Sequence, residues 1–146
     1  MNIRQANKED IVSLATLFNA YLDFYQVKDD HERSTIFLQD RLERGDSIIF
    51  VVEEEMEIIG FAQLYPSFSS LRMKKSWILN DLFINAKVRK NGYATKLMDV
   101  IEKFSRDSEA KGLVLSTGME NESAQRLYKK RGWKKDTTFF HYFLNH

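Results

Sequence analysis

The sequence predicts an α/β domain of short strands and about four helices, and three observations lead there. Segments with helical spacing of apolar residues alternate along the chain with apolar or β-branched runs of strand length. One such run, residues 78–84, ends in a glycine-containing turn that opens directly into a long amphipathic helical pattern. No linker, repeat or low-complexity tract divides the 146 residues, so a single domain over 1–146 is expected, burying roughly two thirds of its unfolded surface.

Each element has its own reason. Residues 2–6 read as a short first strand. Asn7 offers a helix N-cap with Asp10 three residues on, ahead of Ile11, Leu14, Leu17, Phe18, Tyr21 and Tyr25 at helical spacing. Residues 31–43 give a second helix, with Ile36, Leu38 and Leu42 apolar and Gly45 in place as a stop. The dense run Ile48-Ile49-Phe50-Val51-Val52 marks a buried strand over 47–53, an acidic turn covers 53–57, and 58–65 returns as the second arm of a hairpin. Residues 66–75 hold the single proline, Pro66, with Ser67, Ser69 and Ser70, and read as a loop. The fourth strand is 76–84 and the third helix 93–111, with Ala94, Leu97, Met98, Ile101 and Phe104 as its apolar stripe and Gly112 as its stop. A fifth strand over 113–117, a fourth helix from Asn121 to Gly132, and a final hairpin over 133–135 and 138–144 complete the expectation.

Composition narrows the function. Hydrophobic residues at 43% and charged residues at 29% are ordinary for a globular protein, and the 13% of aromatics, 11 Phe and 6 Tyr among them, are expected mainly in the core. A net charge of +1 argues against a dedicated nucleic-acid binder. The basic Lys129-Lys130-Arg131 and Lys134-Lys135 are accounted for by the favourable charge at a helix C-terminus. Without cysteine there is no disulfide framework, thiol nucleophile or thiolate metal site. His31, His141 and His146 are scattered without ligand spacing, so no metal is expected. Residues 1–10 are polar, no apolar run reaches membrane-spanning length, and a soluble cytoplasmic protein without membrane partners is expected.

The run Val88-Arg89-Lys90-Asn91-Gly92-Tyr93-Ala94-Thr95 carries the most chemistry. A strand feeding a helix through a glycine turn leaves backbone N–H groups unpartnered at the positive end of the helix dipole, a ready site for phosphate or pyrophosphate. Arg89 adds a permanent charge, and Gly92 lets an anion approach the backbone. Neither a P-loop nor a three-glycine dinucleotide fingerprint fits, because the run has one glycine and lies past the middle of the chain. It resembles instead the acyl-CoA loop of the GNAT superfamily of N-acetyltransferases, Arg/Gln-x-x-Gly-x-Gly/Ala, at Arg89, Gly92 and Ala94. Some thirty residues on, the chain resembles the superfamily's second signature, N-x-x-A-x-x-x-Y-x-x-x-G-F/W, at Asn121, Ala124, Tyr128, Gly132 and Trp133. Residues 60–70 with 77–83 look like the branch that includes fungal histone and polyamine acetyltransferases and the diamine acetyltransferases.

The resemblance implies a twisted mixed sheet of six to seven strands, splayed between the fourth and fifth so that an acyl-CoA arm can pair with strand four. It implies that the backbone of Leu82, Phe83 and Ile84 meets the pantetheine amides. The amides of Lys90, Asn91, Gly92, Tyr93, Ala94 and Thr95 would hold the pyrophosphate, with Arg89 positioning the loop. Asn121, Glu122 and Ser123 match a further contact to the cofactor arm, though Asn121 reads equally as a plain N-cap. Tyr128 matches the superfamily's general acid, which protonates the departing thiolate.

The base is open. Polyamine-acetylating relatives often have a glutamate where this chain has Asn80, and an amide cannot accept the proton. Asp81 is adjacent, but strand alternation turns it to the other face unless a bulge intervenes. Asp81 could equally be a buried carboxylate bonded to backbone, and Glu120 and Asp23 are weaker candidates. On the substrate side Tyr21, Phe24 and Tyr25, with Asn80 and the charges of Asp23, Asp29 and Asp30, suit a cationic amine, although an ordinary amphipathic helix end explains each of them singly. The expected activity is transfer of acetyl from acetyl-CoA to a primary amine (a polyamine, an amino acid or a lysine-type amine) by direct attack. The alternative is a non-catalytic acyl-CoA-binding or sensing module. A homodimer is expected, because relatives often pair through edge strands and 138–144 is aromatic-rich.

Overall fold

The structure, a computed structural model, describes residues 1–28 and 30–146; Asp29, one of the charges expected beside a substrate amine, lies outside the described residues. The described residues fall into two compact units, Met1–Leu115 and Ser116–His146.

The first unit holds β1 (Asn2–Gln5), α1 (Ile11–Phe24), α2 (His31–Arg44), β2 (Ile48–Glu54), β3 (Glu57–Ser69), β4 (Lys74–Ile84), α3 (Tyr93–Asp107) and β5 (Leu113–Val114). Its helices start and stop on local chemistry. Ahead of α1, the Glu9 N–H donates to Asn7 Oδ1 at 2.9 Å and the Asn7 N–H donates to Asp10 Oδ2 at 2.8 Å, a reciprocal cap. Asp30 caps α2 by accepting the Arg33 N–H at 3.0 Å, and Gly45 ends it at φ +62°.

One open sheet runs in the order β1-β2-β3-β4-β5, antiparallel except for the parallel β4–β5 pair. On one face Ile49, Val51, Phe61 and Phe83 pack with Ile11, Leu14, Ala15, Leu17 and Phe18 of α1 and Leu38 of α2. On the other face Phe104 of α3 meets Phe50 and Trp77 at ring separations of 5.4 and 5.2 Å. Fully buried side chains such as Leu14, Phe61, Leu97 and Ile101 each contribute on the order of 1.5–3 kcal/mol relative to exposure.

Two irregularities interrupt the sheet at β4. Gln63 pairs with Asp81 but Leu64 pairs with Leu79, so Asn80 is an extra residue on β4, a bulge. And β5 pairs with β4 only at Trp77 and Ile78. Among the described residues no strand pairs with the rest of that β4 edge, as a sheet splayed between its fourth and fifth strands requires.

Three expectations are corrected. Residues 66–75 are not a loop: β3 and β4 continue as a long hairpin, with Pro66 opposite Trp77 and the turn confined to 70–73. Pro66 is tolerated because β2 stops pairing at Leu64, so β3 is by then an edge strand that can spare an N–H. The fifth strand is two residues long rather than five. The final hairpin over 133–135 and 138–144 does not form among the described residues, so the sheet has five strands rather than six to seven. There the Asp136 carboxylate takes the N–H groups of Thr138 and Phe139 at 2.9 and 3.1 Å, a local turn that competes with a ladder.

The second unit is built on α4 (Glu122–Lys130). Asn121 accepts the Ala124 N–H at 3.2 Å, and the helix stops with the Trp133 N–H on Tyr128 O and the Gly132 N–H on Lys129 O, Gly132 standing at φ +88°.

Candidate active site

The end of β4 and the start of α3 are joined by a tied-down loop. A short 3-10 turn, Ala86–Val88, is capped by Asn85, whose side chain accepts the Lys87 N–H at 3.1 Å. Arg89 Nε donates to Ile84 O at 2.9 Å, and its guanidinium lies 5.5 Å from the Phe24 ring centroid and 5.2 Å from that of Phe83. Asn91 Nδ2 donates to Val88 O at 3.2 Å. Lys90 and Gly92 both stand at positive φ, +71° and +76°, so the loop is strained at the one and relaxed at the other.

Gly92 occupies the N-cap position of α3, where no side chain caps the helix, and the ladder begins with Lys96 N–H on Gly92 O at 3.1 Å. The amides of the first turn therefore point outward with the positive end of a 15-residue helix dipole behind them. That is an anion-binding geometry. Leu82, Phe83 and Ile84 precede it on the part of β4 that β5 does not reach.

The bulge decides which way Asp81 faces. Trp77 and Leu79 lie on the α3 face, since Trp77 meets Phe104 and Leu79 is opposite Leu64. Simple alternation would put Asp81 there too, but the extra residue at Asn80 reverses the parity. Asp81 therefore shares the α1 face with its partner Gln63. Its carboxylate accepts Tyr21 Oη–H at 2.7 Å and Asn80 Nδ2 at 3.1 Å on Oδ1, and Gln63 Nε2 at 2.9 Å on Oδ2. The alternative of a carboxylate bonded to backbone is replaced by one bonded to three side chains. Burial, then the Asp81 charge, pushes the Tyr21 phenol far above its ordinary range, so it stays a donor; the same two causes push Tyr65 up to about 12.

The C-terminal end of α1 adds aromatic surface. Tyr21 contacts Phe18, Tyr25, Phe61 and Phe83, and Phe24 meets Tyr25 edge-on at 5.1 Å. Phe24 and Tyr25 remain half-exposed. The cation over Phe24 is the chain's own Arg89. Tyr21, Phe24, Tyr25, Asn80, Asp81, Phe83 and Arg89 thus gather in one unit, while Asp23 is exposed on α1.

In the second unit the signature residues are helix punctuation. Asn121 is the N-cap, Glu122 and Ser123 fill the first turn, and Gly132 is the left-handed stop. Tyr128 and Trp133 close the C-terminal motif with rings 5.7 Å apart, and Glu120 is exposed before the helix.

Sequence reasoning missed Ser47 and Gln63. Ser47 Oγ donates to Gln63 Oε1 at 2.9 Å, extending the Asp81 cluster inward. The signal was there: Gln63 is the one strongly polar side chain inside the apolar run 58–64. Among the described residues no group of three or more His, Asp or Glu could hold a metal ion, and no helix is long and apolar enough to cross a membrane.

An open mixed sheet whose fourth strand leads through a glycine turn into an uncapped helix defines the class of α/β domains with an anion-accepting helix start. Comparison with known proteins gives the family. Residues 14–133 match the model of the acetyltransferase (GNAT) family, to which the chain belongs as an acetyltransferase enzyme. It is 43% identical over 145 residues to the uncharacterized N-acetyltransferase YhfO of Bacillus subtilis (strain 168), covering 99% of this chain and 97% of that protein. It is also similar to the crystal structure of a probable acetyltransferase, with a TM-score of 0.95 and 38% identity over 100% of this chain and 98% of the other. A predicted acetyltransferase from Clostridium acetobutylicum, solved with acetyl-CoA, shares the fold at a TM-score of 0.78 and 17% identity, over 97% of this chain and 95% of that one.

Proposed function

We propose that this chain moves an acetyl group from acetyl-CoA to a primary amine by direct attack, within the branch of the family that acts on polyamines, amino acids and lysine-type amines. The observation that carries the reading is the uncapped N-terminus of α3 behind the Lys90–Gly92 turn, next to a β4 edge that β5 leaves open. The residues present fit the donor: the first-turn amides from Tyr93 to Thr95 have no intrahelical acceptor, and Gly92 has no neighbour within 4 Å of where a Cβ would stand.

Acetyl-CoA supplies the activated acetyl group as a thioester. The amides of Lys90, Asn91, Gly92, Tyr93, Ala94 and Thr95 grip its pyrophosphate, while Arg89, tied to Ile84 O, keeps the loop in place. The main chain of Leu82, Phe83 and Ile84 offers pairing groups to an extended amide-bearing arm. Asn121, Glu122 and Ser123 add a further contact to it. Tyr128 is assigned the proton donor to the leaving sulfur, on its place in the second signature.

Asp81 is assigned the base. An amine with pKa about 10.4 is neutral in only on the order of one molecule in two thousand at pH 7, so the reaction needs a base or a pocket that lowers the amine's pKa, and in this reading the carboxylate draws off the proton. Asn80 cannot do so; its amide donates to Asp81 instead. Tyr21, Phe24 and Tyr25 form the aromatic side of the acceptor site.

Within this reading the protein works in the cytoplasm, where acetyl-CoA is made, on a small-molecule or lysine-type amine without nucleic acid, membrane or metal. It forms a homodimer through its C-terminal segment, where Phe139, Phe140, Tyr142, Phe143 and Leu144 are between 71% and 92% exposed. Calorimetry with coenzyme A and acetyl-CoA, followed by thiol release on a panel of primary amines, tests the activity; no association with either ligand would end the reading. Gel filtration at micromolar concentration tests the dimer.

A further inference from the structure

We infer that Gln63, anchored by Ser47, is a positioning residue that sets the direction and the proton affinity of Asp81; this rests on the assignment of Asp81 as base. A primary amide is costly inside an apolar strand unless both of its ends are bonded. Gln63 is fully buried and both ends are bonded: Oε1 accepts Ser47 Oγ–H and Nε2 donates to Asp81 Oδ2, each at 2.9 Å.

The acceptor-only carboxylate of Asp81 decides which end of the amide faces it, and Ser47 satisfies the other end. A carboxylate only accepts, so the amide must present its NH2, and the Ser47 hydroxyl, by donating to Oε1, keeps the far end of the buried amide bonded and the side chain anchored. Rotated by half a turn, Oε1 would face Oδ2, acceptor against acceptor.

The donor census then gives the direction. Oδ1 accepts two donors, from Tyr21 and Asn80, whereas Oδ2 accepts one, from Gln63. A carboxylate has room for about four, so Oδ2 keeps capacity for one more, and the Gln63 bond selects the lone pair left to receive it. All three donors are neutral. They hold the charge without cancelling it, which leaves its attraction for an ammonium or amine N–H intact.

The ionisable groups around the cluster, among the described residues, are Tyr21 from α1 and Tyr65 from β3, with Tyr25 acting on Tyr21, Arg41 of α2 and Asp46 acting on Tyr65, and Arg89 over Phe83. Removing the Gln63 donor leaves all of these in place. The change in Asp81 can therefore be read by itself.

The experiment follows the Asp81 carboxyl carbon by NMR from pH 3 to 9, its resonance assigned by its absence in Asp81→Asn. The chains are the wild type, Gln63→Met, Ser47→Ala and Ser47→Thr. Loss of one bond to the anion raises the midpoint by about one to two pH units in Gln63→Met. Ser47→Ala moves it the same way by less, and Ser47→Thr, which keeps the hydroxyl, leaves it at the wild-type value. In parallel, thiol release from acetyl-CoA is measured with spermidine, tyramine and L-lysine. The acidic limb of kcat/KM moves up by the same interval as the carboxyl midpoint.

An unmoved midpoint in folded Gln63→Met and Ser47→Ala overturns the inference. Should Gln63→Met fail to fold, Ser47→Ala against Ser47→Thr decides it. A midpoint that moves while the rate profile stays put upholds the positioning of Asp81 and removes Asp81 as base, so the two failures are told apart.

Discussion

The Tyr21 hydroxyl donates to Asp81 Oδ1 at 2.7 Å, a side-chain bond that ties the last turns of α1 to the bulged segment of β4. Deleting that donor in Tyr21→Phe leaves a buried carboxylate with two partners and costs about 1–3 kcal/mol at pH 7. The pH dependence has a definite sign. Burial, then Asp81, raises the folded pKa of Tyr21 above the unfolded value of about 10, so this contribution is complete below pH 10 and is lost as pH rises further. Tyr65, pushed up to about 12, adds a loss between pH 10 and 12. Urea unfolding is expected to show the gap between wild type and Tyr21→Phe narrowing above pH 10. A gap as wide at pH 11 as at pH 7 would contradict the assignment.

The acid limb of stability should belong to Asp10. Its carboxylate takes Arg4 NH1 and NH2 at 2.8 and 2.9 Å and the Asn7 N–H at 2.8 Å, joining β1 to the start of α1. The Arg4 bonds, ahead of the Asn7 N–H, hold Asp10 below the usual carboxylate range. A lowered folded pKa stabilises above the unfolded value near 4, and that stability disappears as pH falls through the folded one. Asp10→Asn is expected to cost about 1–3 kcal/mol at pH 7 and to converge with wild type below about pH 4. Parallel curves down to pH 2 would rule out this origin.

Turnover tests Tyr128 separately from binding. Replacing it with Phe keeps the ring that meets Trp133, so α4 keeps its C-terminal stop. If the phenol is the proton donor, kcat falls roughly ten- to ten-thousand-fold while acetyl-CoA affinity is unchanged. Unaltered kcat removes Tyr128 from the mechanism; weakened affinity with full kcat makes it a binding residue instead.

The start of α3 was legible in the residues, because a glycine ahead of an amphipathic stripe offers no side chain to cap the helix. Gly92 at φ +76° and the buried Leu97, Met98 and Ile101 are where that pattern puts them. The orientation of Asp81 was not legible. It depends on one residue of register between β3 and β4, and nothing in the composition of 78–84 announces that Asn80 goes unpaired. Gln63 stood out as polar in an apolar run, yet its use appears only once Ser47 and Asp81 are brought to either side of it. The C-terminal segment misled in the other direction. Its aromatics have strand propensity, but Asp136 spends the Thr138 and Phe139 amides locally.

Gly60 is the tightest point between β3 and the end of β4. A Cβ there would stand 2.5 Å from Ile84 Cδ1, 3.1 Å from Phe83 O and 3.4 Å from Val52 Cγ2. The first clash is with the tip of a side chain that can be shortened, and the second is with backbone that cannot. Gly60→Ala is therefore expected to cost about 1–3 kcal/mol through overpacking. Ile84→Val removes Cδ1 and alone costs about 0.5–1.5 kcal/mol. Together they should cost less than the sum, with a coupling of about 0.5–3 kcal/mol in urea unfolding, because the valine leaves the space the new methyl needs. Relief stays incomplete, since Phe83 O remains at 3.1 Å. Because Phe83 and Ile84 lead into the Arg89 loop, Gly60→Ala should also weaken acetyl-CoA binding, and the double variant should recover part of that affinity. Strictly additive costs would mean that Ile84 is not what Gly60 makes room for.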